Sequence, residues 1–285
     1  MLTRIGSSLI ELVVALVLVG IVLGAASTSL LRQQRGFRWI GAVTGAEVQM
    51  RPVVRIIPSE LAQLDAAAGD LVPGQASDST LQLRAVVASS LACDSSNGTV
   101  TLLPNSSAAV PIGGVARTPI TGDSVWLFSG DTLGWQSRAI TAVSRTTTGC
   151  RTPPMAPAAS YRLSLNAPLA LPGGTPIRVT RQERYVVYRA SDGLWYLGLR
   201  DWSQSLGRFA APQPVAGPFI RALSNSGLTG FRYFDSTGAS VTPNGTNESS
   251  VARVRVSTLS SVASSGAADT VRRDSADIAL LRTGP

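Results

Sequence analysis

Apolar residues run almost unbroken from Leu9 to Leu31, LIELVVALVLVGIVLGAASTSLL, with Glu11 as the one charge. At about 1.5 Å of rise per residue, a helix over this stretch reaches roughly 35 Å. A bilayer core is about 30 Å thick, so the pattern predicts a membrane-spanning helix. Beyond it Phe37, Trp39, Ile40, Val43 and Val48 are spaced to lie along a globular body, with Gly36, Gly41 and Gly45 softening the rod. Pro52 lacks a backbone donor and clashes with the preceding turn, which predicts a helix end near Arg51. Pro58 followed by Ser59, Glu60 and Leu61 predicts a fresh N-cap and one more short helix, SELAQLDAA.

After Asp65 the pattern becomes short alternating runs separated by Gly, Pro, Asn and Ser, which is the signature of strands. Ten strands are predicted: Leu81 to Val87, Thr99 to Leu103, Ser124 to Phe128, Ser137 to Val143, Tyr161 to Leu165, Ile177 to Thr180, Arg184 to Ala190, Leu194 to Leu199, Gly230 to Phe234 and Val251 to Leu259. The clearest hairpin joins RYVVYRA to LWYLGLR through Ser191, Asp192 and Gly193, because Asp-Gly tolerates the positive φ of a tight turn. Pro104 to Pro119, Thr146 to Ser160 and Ser236 to Ser250 read as irregular loops. The fold class is therefore α+β, a long N-terminal helix with a predominantly antiparallel β body.

Composition agrees with a folded β-rich body: 44% of residues are hydrophobic and 15% charged. All 25 basic residues are Arg against 17 acidic, giving a formal +8. The arginines are scattered singly through alternating runs, as at Arg253 and Arg255, so no nucleic-acid footprint is expected. The absence of Lys and His excludes a Walker phosphate loop, a Lys Schiff base, a Ser-His-Asp triad and an HExxH metal site. No GxG occurs either. The expectation is a protein that is not an enzyme and carries no cofactor.

Cys93 and Cys150 are the two cysteines. In an exported domain such a pair is expected to form a disulfide, with two independent buried thiols as the alternative.

The run GSSLIELVVAL, Gly6 to Leu16, resembles the cleavage and methylation motif of type IV prepilins, usually GFTLIELLVAL, over eleven residues, with Ser7 where Phe is usual. The resemblance implies cleavage after Gly6 by a prepilin peptidase, N-methylation of Ser7, and an assembly role for Glu11, whose carboxylate would meet the N-terminal amine of a neighbouring subunit. An ionised carboxylate on a lipid-facing helix is costly, so it normally has a partner. RYVVYRASDGLWYLGLRD, VARVRVSTLSSV and DIALLRTGP are similar to segments of the larger minor members, the PilW-like minor pilins and J-type minor pseudopilins.

The implied organisation is a leader over 1–6, a transmembrane part of the helix over 7–31, its periplasmic continuation over 32–65, and a β-rich head over 66–285 in a pilin-like ladle. The implied location is the inner membrane, crossed once with a cytoplasmic N-terminus and a periplasmic head, before entry into a pilus or pseudopilus. Expected partners are prepilin peptidase and other pilins or pseudopilins, with nucleic acid only for a DNA-uptake pilus. Arg32, Arg35 and Arg38 outnumber Arg4, so a positive-inside count points the other way. The motif and the cysteine pair favour the orientation given. The alternative function is a tethered or secreted ligand-binding protein that uses the apolar segment only for export, with Gly24, Ala25, Ala26 and Ser27 as a signal-peptidase site.

Three further groups of residues bear on chemistry. Asp192, Asp201 and Asp235 could be read as calcium ligands, but without a DxDxDG run they read as turn caps and surface charges. Trp126, Trp135, Trp195, Tyr196 and Trp202 read as core packing with at least one ring facing out. Glu60 with Asp65, and Asp123 with Asp131, are the nearest carboxylate pairs, and both read as solvated charges.

Overall fold

The computed structural model describes residues 9–96, 98–103, 114–129, 134–147, 160–168, 171–220, 229–262 and 270–281. It has one long N-terminal helix, α1 (Leu9–Leu61), and a predominantly antiparallel β body, so the chain is α+β. Residues 50–259 with 273–285 form one compact unit, and residues 1–49 with 260–272 the other. The boundary at Gln49 and Met50 falls inside α1.

The helix does not stop at Pro52, and no second helix starts at Ser59: both prolines lie within α1. An interior proline costs a helix about 3 kcal/mol. The offset is burial, because Met50, Val53, Ile57 and Leu61 recur every three or four residues on one side and are all 2% exposed or less. Each such side chain contributes roughly 1.5 to 3 kcal/mol when fully buried. Where the predicted short helix would have continued, the chain turns. Asp65 Oδ1 accepts the amides of Ala67 (2.9 Å) and Ala68 (3.2 Å), and the Asp65 amide donates to Asp70 Oδ2 (2.8 Å). Phe37, Trp39, Ile40 and Val48, expected to be covered, belong to the unit of residues 1–49 with 260–272. All four are exposed, and the buried side of the helix begins at Met50. Gly36, Gly41 and Gly45 face open space.

Fifteen strands follow among the described residues: β1 (Leu71–Ala76), β2 (Thr80–Ser96), β3 (Thr99–Leu102), β4 (Gly114–Val115), β5 (Ser124–Ser129), β6 (Gly134–Thr146), β7 (Ser160–Leu165), β8 (Pro176–Arg189), β9 (Trp195–Ser203), β10 (Arg208–Phe209), β11 (Gln213–Phe219), β12 (Gly230–Phe234), β13 (Ser240–Val241), β14 (Arg253–Val262) and β15 (Thr270–Ala279). All ten predicted strands are present, and two of them, Ile177 to Thr180 and Arg184 to Ala190, are one continuous strand, β8. Of the three predicted loops, 104–113 and 148–159 lie outside the described residues, and the third contains β13 and a 3-10 turn, Glu248–Ser250.

The backbone of the head is the β2–β8 pair, which runs from Thr80 opposite Val186 to Leu91 opposite Pro176. Beyond that pairing β2 continues into β3, β3 pairs with β7, β7 with β6, β6 with β5, and β5 returns to β8 through Ser124↔Thr180 to Leu127↔Ile177. The pairings close into a six-stranded antiparallel ring, built from the far ends of β2 and β8 and the segment inserted between them. Closure removes free strand edges. The ring has its own core, in which Val87, Val100, Leu102, Val125, Leu127, Ile140, Leu163 and Ile177 are 2% exposed or less.

A second core lies under the near ends of β2 and β8. There the buried side of α1 from Met50 meets Leu71, Leu81, Leu83, Tyr185 and Leu197. A four-stranded sheet, in the order β13-β12-β14-β15, closes it with Phe231, Tyr233, Val254, Val256 and Ile278. Leu281 pairs in parallel with Asp65 and its amide donates to Leu64 O (2.8 Å), so the chain's last described strand region is tied to the end of α1.

Candidate functional site

In α1 the apolar surface is exposed on every side from Ile10 to Leu31, with Ile10 71%, Leu16 64% and Val22 65% exposed. The helix is long and apolar enough to cross a membrane, and none of its most apolar stretch is buried. A helix that is hydrophobic all round calls for an apolar surrounding, a membrane or the core of a larger assembly. Glu11 is exposed in its first turn, where a carboxylate also complements the positive end of the helix dipole. Gly6 and Ser7 lie outside the described residues.

Cys93, on β2, is disulfide-bonded, and among the described residues no cysteine is free. Its expected partner Cys150 lies outside the described residues. The aspartates read as turn caps behave as such. Asp192 accepts the Leu194 amide (2.8 Å) and the Tyr196 hydroxyl (2.7 Å) at the β8–β9 turn, where Gly193 has φ 81°. Asp235 accepts the amides of Thr237 (2.8 Å) and Ala239 (3.0 Å). Hydrogen bonds hold both carboxylates below their usual range, Asp192 through the Leu194 amide first and Asp235 through the Thr237 hydroxyl first. Asp201 stands apart from them on β9, and among the described residues no three Cys, Asp or Glu gather as metal ligands.

Glu60 and Asp65 do not form a pair. Asp65 serves its own turn, while Glu60 accepts from the Tyr185 hydroxyl and sits 3.8 Å from Arg117. Asp123 is held bidentate by Arg181 (2.8 and 2.9 Å) and caps the Ile120 amide, whereas Asp131 lies outside the described residues. Reading these acids as solvated charges is therefore corrected for Asp65 and Asp123, both 2% exposed, because each is held by amides or a guanidinium.

Sequence reasoning passed over the acid at the centre of this network. Glu183 lies mid-strand on β8 with its side chain fully buried, paired to Arg117 at 2.5 Å through Oε1. Its Oε2 has no hydrogen-bond partner. Burial outweighs the attraction of Arg117 and pushes the Glu183 carboxyl up to about 7. For Arg117, burial works in the other direction but Glu183 and Glu60 together raise it. Tyr185 is driven well above its ordinary range, by burial first and by Glu60 second. One guanidinium thus joins the last turn of α1 to the middle of the sheet. Arg117 is placed there by its own amide and that of Ala116, both donating to Val87 O (3.1 and 3.0 Å). The arrangement is a structural clasp with one strained acid. Nothing in the sequence distinguished Glu183 from an exposed glutamate.

The opposite face of the same sheet collects arginines and rings. Arg84 lies over Trp126 (4.9 Å), Arg178 over Trp135 (5.6 Å) and Arg184 over Phe209 (4.3 Å). Trp202 packs edge-on against Phe209, and Tyr196 stands beside Tyr188. Trp195, one residue out of phase, packs against the core with Leu197. The Tyr188 ring lies on Gly198, where a Cβ would stand 2.6 Å from it. Sequence position scattered these arginines; strand pairing gathers them.

A groove of about 690 Å³ lies between Ala76–Asp78, Phe231–Tyr233 and Ser240–Pro243. Compared with known proteins, the chain matches no family model, no curated protein and no solved structure.

Proposed function

We propose that this chain is a minor subunit of a type IV pilus or type II secretion pseudopilus, made as a prepilin, cut after Gly6 by prepilin peptidase and N-methylated on Ser7. One observation carries the reading: the Gly6 to Leu16 run opens directly into a helix whose apolar surface is uncovered all round, with Glu11 in its first turn. In this reading the precursor crosses the inner membrane once, with its N-terminus cytoplasmic and its β head periplasmic in a ladle-like plan. The subunit acts by packing. Lipid solvates the helix before assembly, and neighbouring helices replace lipid afterwards. The Glu11 carboxylate and a neighbour's terminal ammonium, each penalised alone in an apolar medium, attract strongly when desolvated together and set axial register. A head of this size, enlarged by the closed ring, suits a low-copy position at a fibre tip, and the role requires no catalysis.

Glu11→Ala tests the assembly role. In a strain lacking other copies of the subunit, the variant is expected to be processed normally yet fail to enter sheared fibres. Incorporation at wild-type level overturns the register role.

A further inference from the structure

We infer that Arg184 and Arg200 form a binding site for a phosphate-type oxyanion on the solvent-side face of the β8–β9 pair. The two residues are direct cross-strand partners and their side chains share one face. Like charges placed so are mutually destabilising. Three other partly buried arginines of the head are matched with acids, Arg117 with Glu183, Arg178 with Asp70 and Arg181 with Asp123, whereas Arg84 donates to Gly69 O and lies over Trp126. Among the described residues no carboxylate comes within ion-pair distance of Arg184 or Arg200. The acids adjacent in sequence, Glu183 beside Arg184 and Asp201 beside Arg200, belong to the other face, where Glu183 pairs with Arg117 and Asp201 acts on Arg181 and Glu183.

Both guanidiniums are instead held by neutral acceptors. Arg184 donates to Gln82 Oε1 (3.1 Å, through Nε) and Gln75 Oε1 (2.9 Å). Arg200 donates to Ala210 O (2.7 Å) and Phe209 O (3.3 Å). These bonds fix orientation without cancelling charge, and Nη1 of each residue is left unspent. The Phe209 ring, 4.3 Å from the Arg184 guanidinium and backed by Trp202, keeps water from one side. Burial and then the Arg200 charge lower the Arg184 guanidinium from its usual range. One unspent Nη1 on each of two cross-strand partners suits a tetrahedral, multiply charged oxyanion, which offers oxygens to both, better than a single carboxylate with two.

The test is calorimetric titration of the full chain in non-ionic detergent at low salt, with inorganic pyrophosphate and a twelve-residue oligothymidylate as separate probes. Wild type is expected to bind at least one probe, and Arg184→Gln and Arg200→Gln to weaken that binding at least tenfold. Binding of pyrophosphate points to a free ion, and binding of the oligonucleotide alone to phosphates on a polymer; either supports the site. If a glutamine variant melts lower than wild type, Arg200→Lys keeps the charge without the guanidinium that Ala210 O and Phe209 O orient, and is expected to bind more weakly than wild type, equal binding overturning the site. Failure of wild type to bind either probe, or equal affinity in folded Arg184 and Arg200 variants, overturns the site. This inference stands whether or not the chain assembles into a fibre.

Discussion

Replacing Glu183 by Gln removes an acid whose burial exceeds its compensation. Its carboxyl shifts from 4.5 to about 7 on folding, because the fully buried side chain has one oxygen on Arg117 and the other without a partner. A raised acid means that the folded state holds the proton more tightly than the unfolded chain. The contribution of Glu183 to stability is therefore full below about 4.5, erodes as pH rises, and is gone above about 7. Each unit is worth about 1.4 kcal/mol, so the loss approaches about 3 kcal/mol. Gln mimics the neutral acid and does not titrate. The difference in unfolding free energy, variant minus wild type, should thus rise by about 3 kcal/mol between pH 4 and pH 8, most steeply between 5 and 7. Urea titration in non-ionic detergent at each pH, followed by near-ultraviolet circular dichroism, measures it, and the shared titrations of other groups cancel in the difference. A pH-independent difference, or one that falls with pH, refutes the account of Glu183.

Ile57→Ala should destabilise the head by about 2 to 5 kcal/mol in the same urea assay, since Ile57 is fully buried where α1 runs on past Pro52. Gly230→Ala should lower stability by roughly 3 kcal/mol, because its Cβ would fall 2.0 Å from the Asp78 carbonyl oxygen and the backbone has to move; thermal melting checks it. Reducing the Cys93 disulfide should remove about 4 kcal/mol if its partner is Cys150, by the chain-entropy model, and unchanged melting with and without reductant would contradict that.

Local pattern was enough for the elements whose physics is local. The apolar run predicted α1, alternation predicted ten strands, and Asp192-Gly193 predicted the hairpin whose turn Gly193 makes at φ 81°. The failures share a cause, since each depends on residues distant in sequence. Pro52 and Pro58 signal a helix end, and only the core that receives Val53, Ile57 and Leu61 overrides them. Arg181-Gln182-Glu183 looks like an interruption between two strands, yet it is mid-strand because Arg181 has Asp123 and Glu183 has Arg117. Pro214, Gly217 and Pro218 disguised β11, and the charges of TVRRDSADIA disguised β15. Closure of the ring was invisible because no single strand carries it. For the candidate site, Glu11 stood out as a lone charge in an apolar helix, whereas Arg184 and Arg200 become neighbours only through the pairing of β8 with β9.

The central claim is that the N-terminal run is a prepilin signal, and the most direct test is the N-terminus of the chain itself. Expressed with an active prepilin peptidase, the purified protein should give an intact mass and an N-terminal sequence beginning at N-methylated Ser7. A start near Ser27, or an uncut chain beginning at Met1, contradicts the claim.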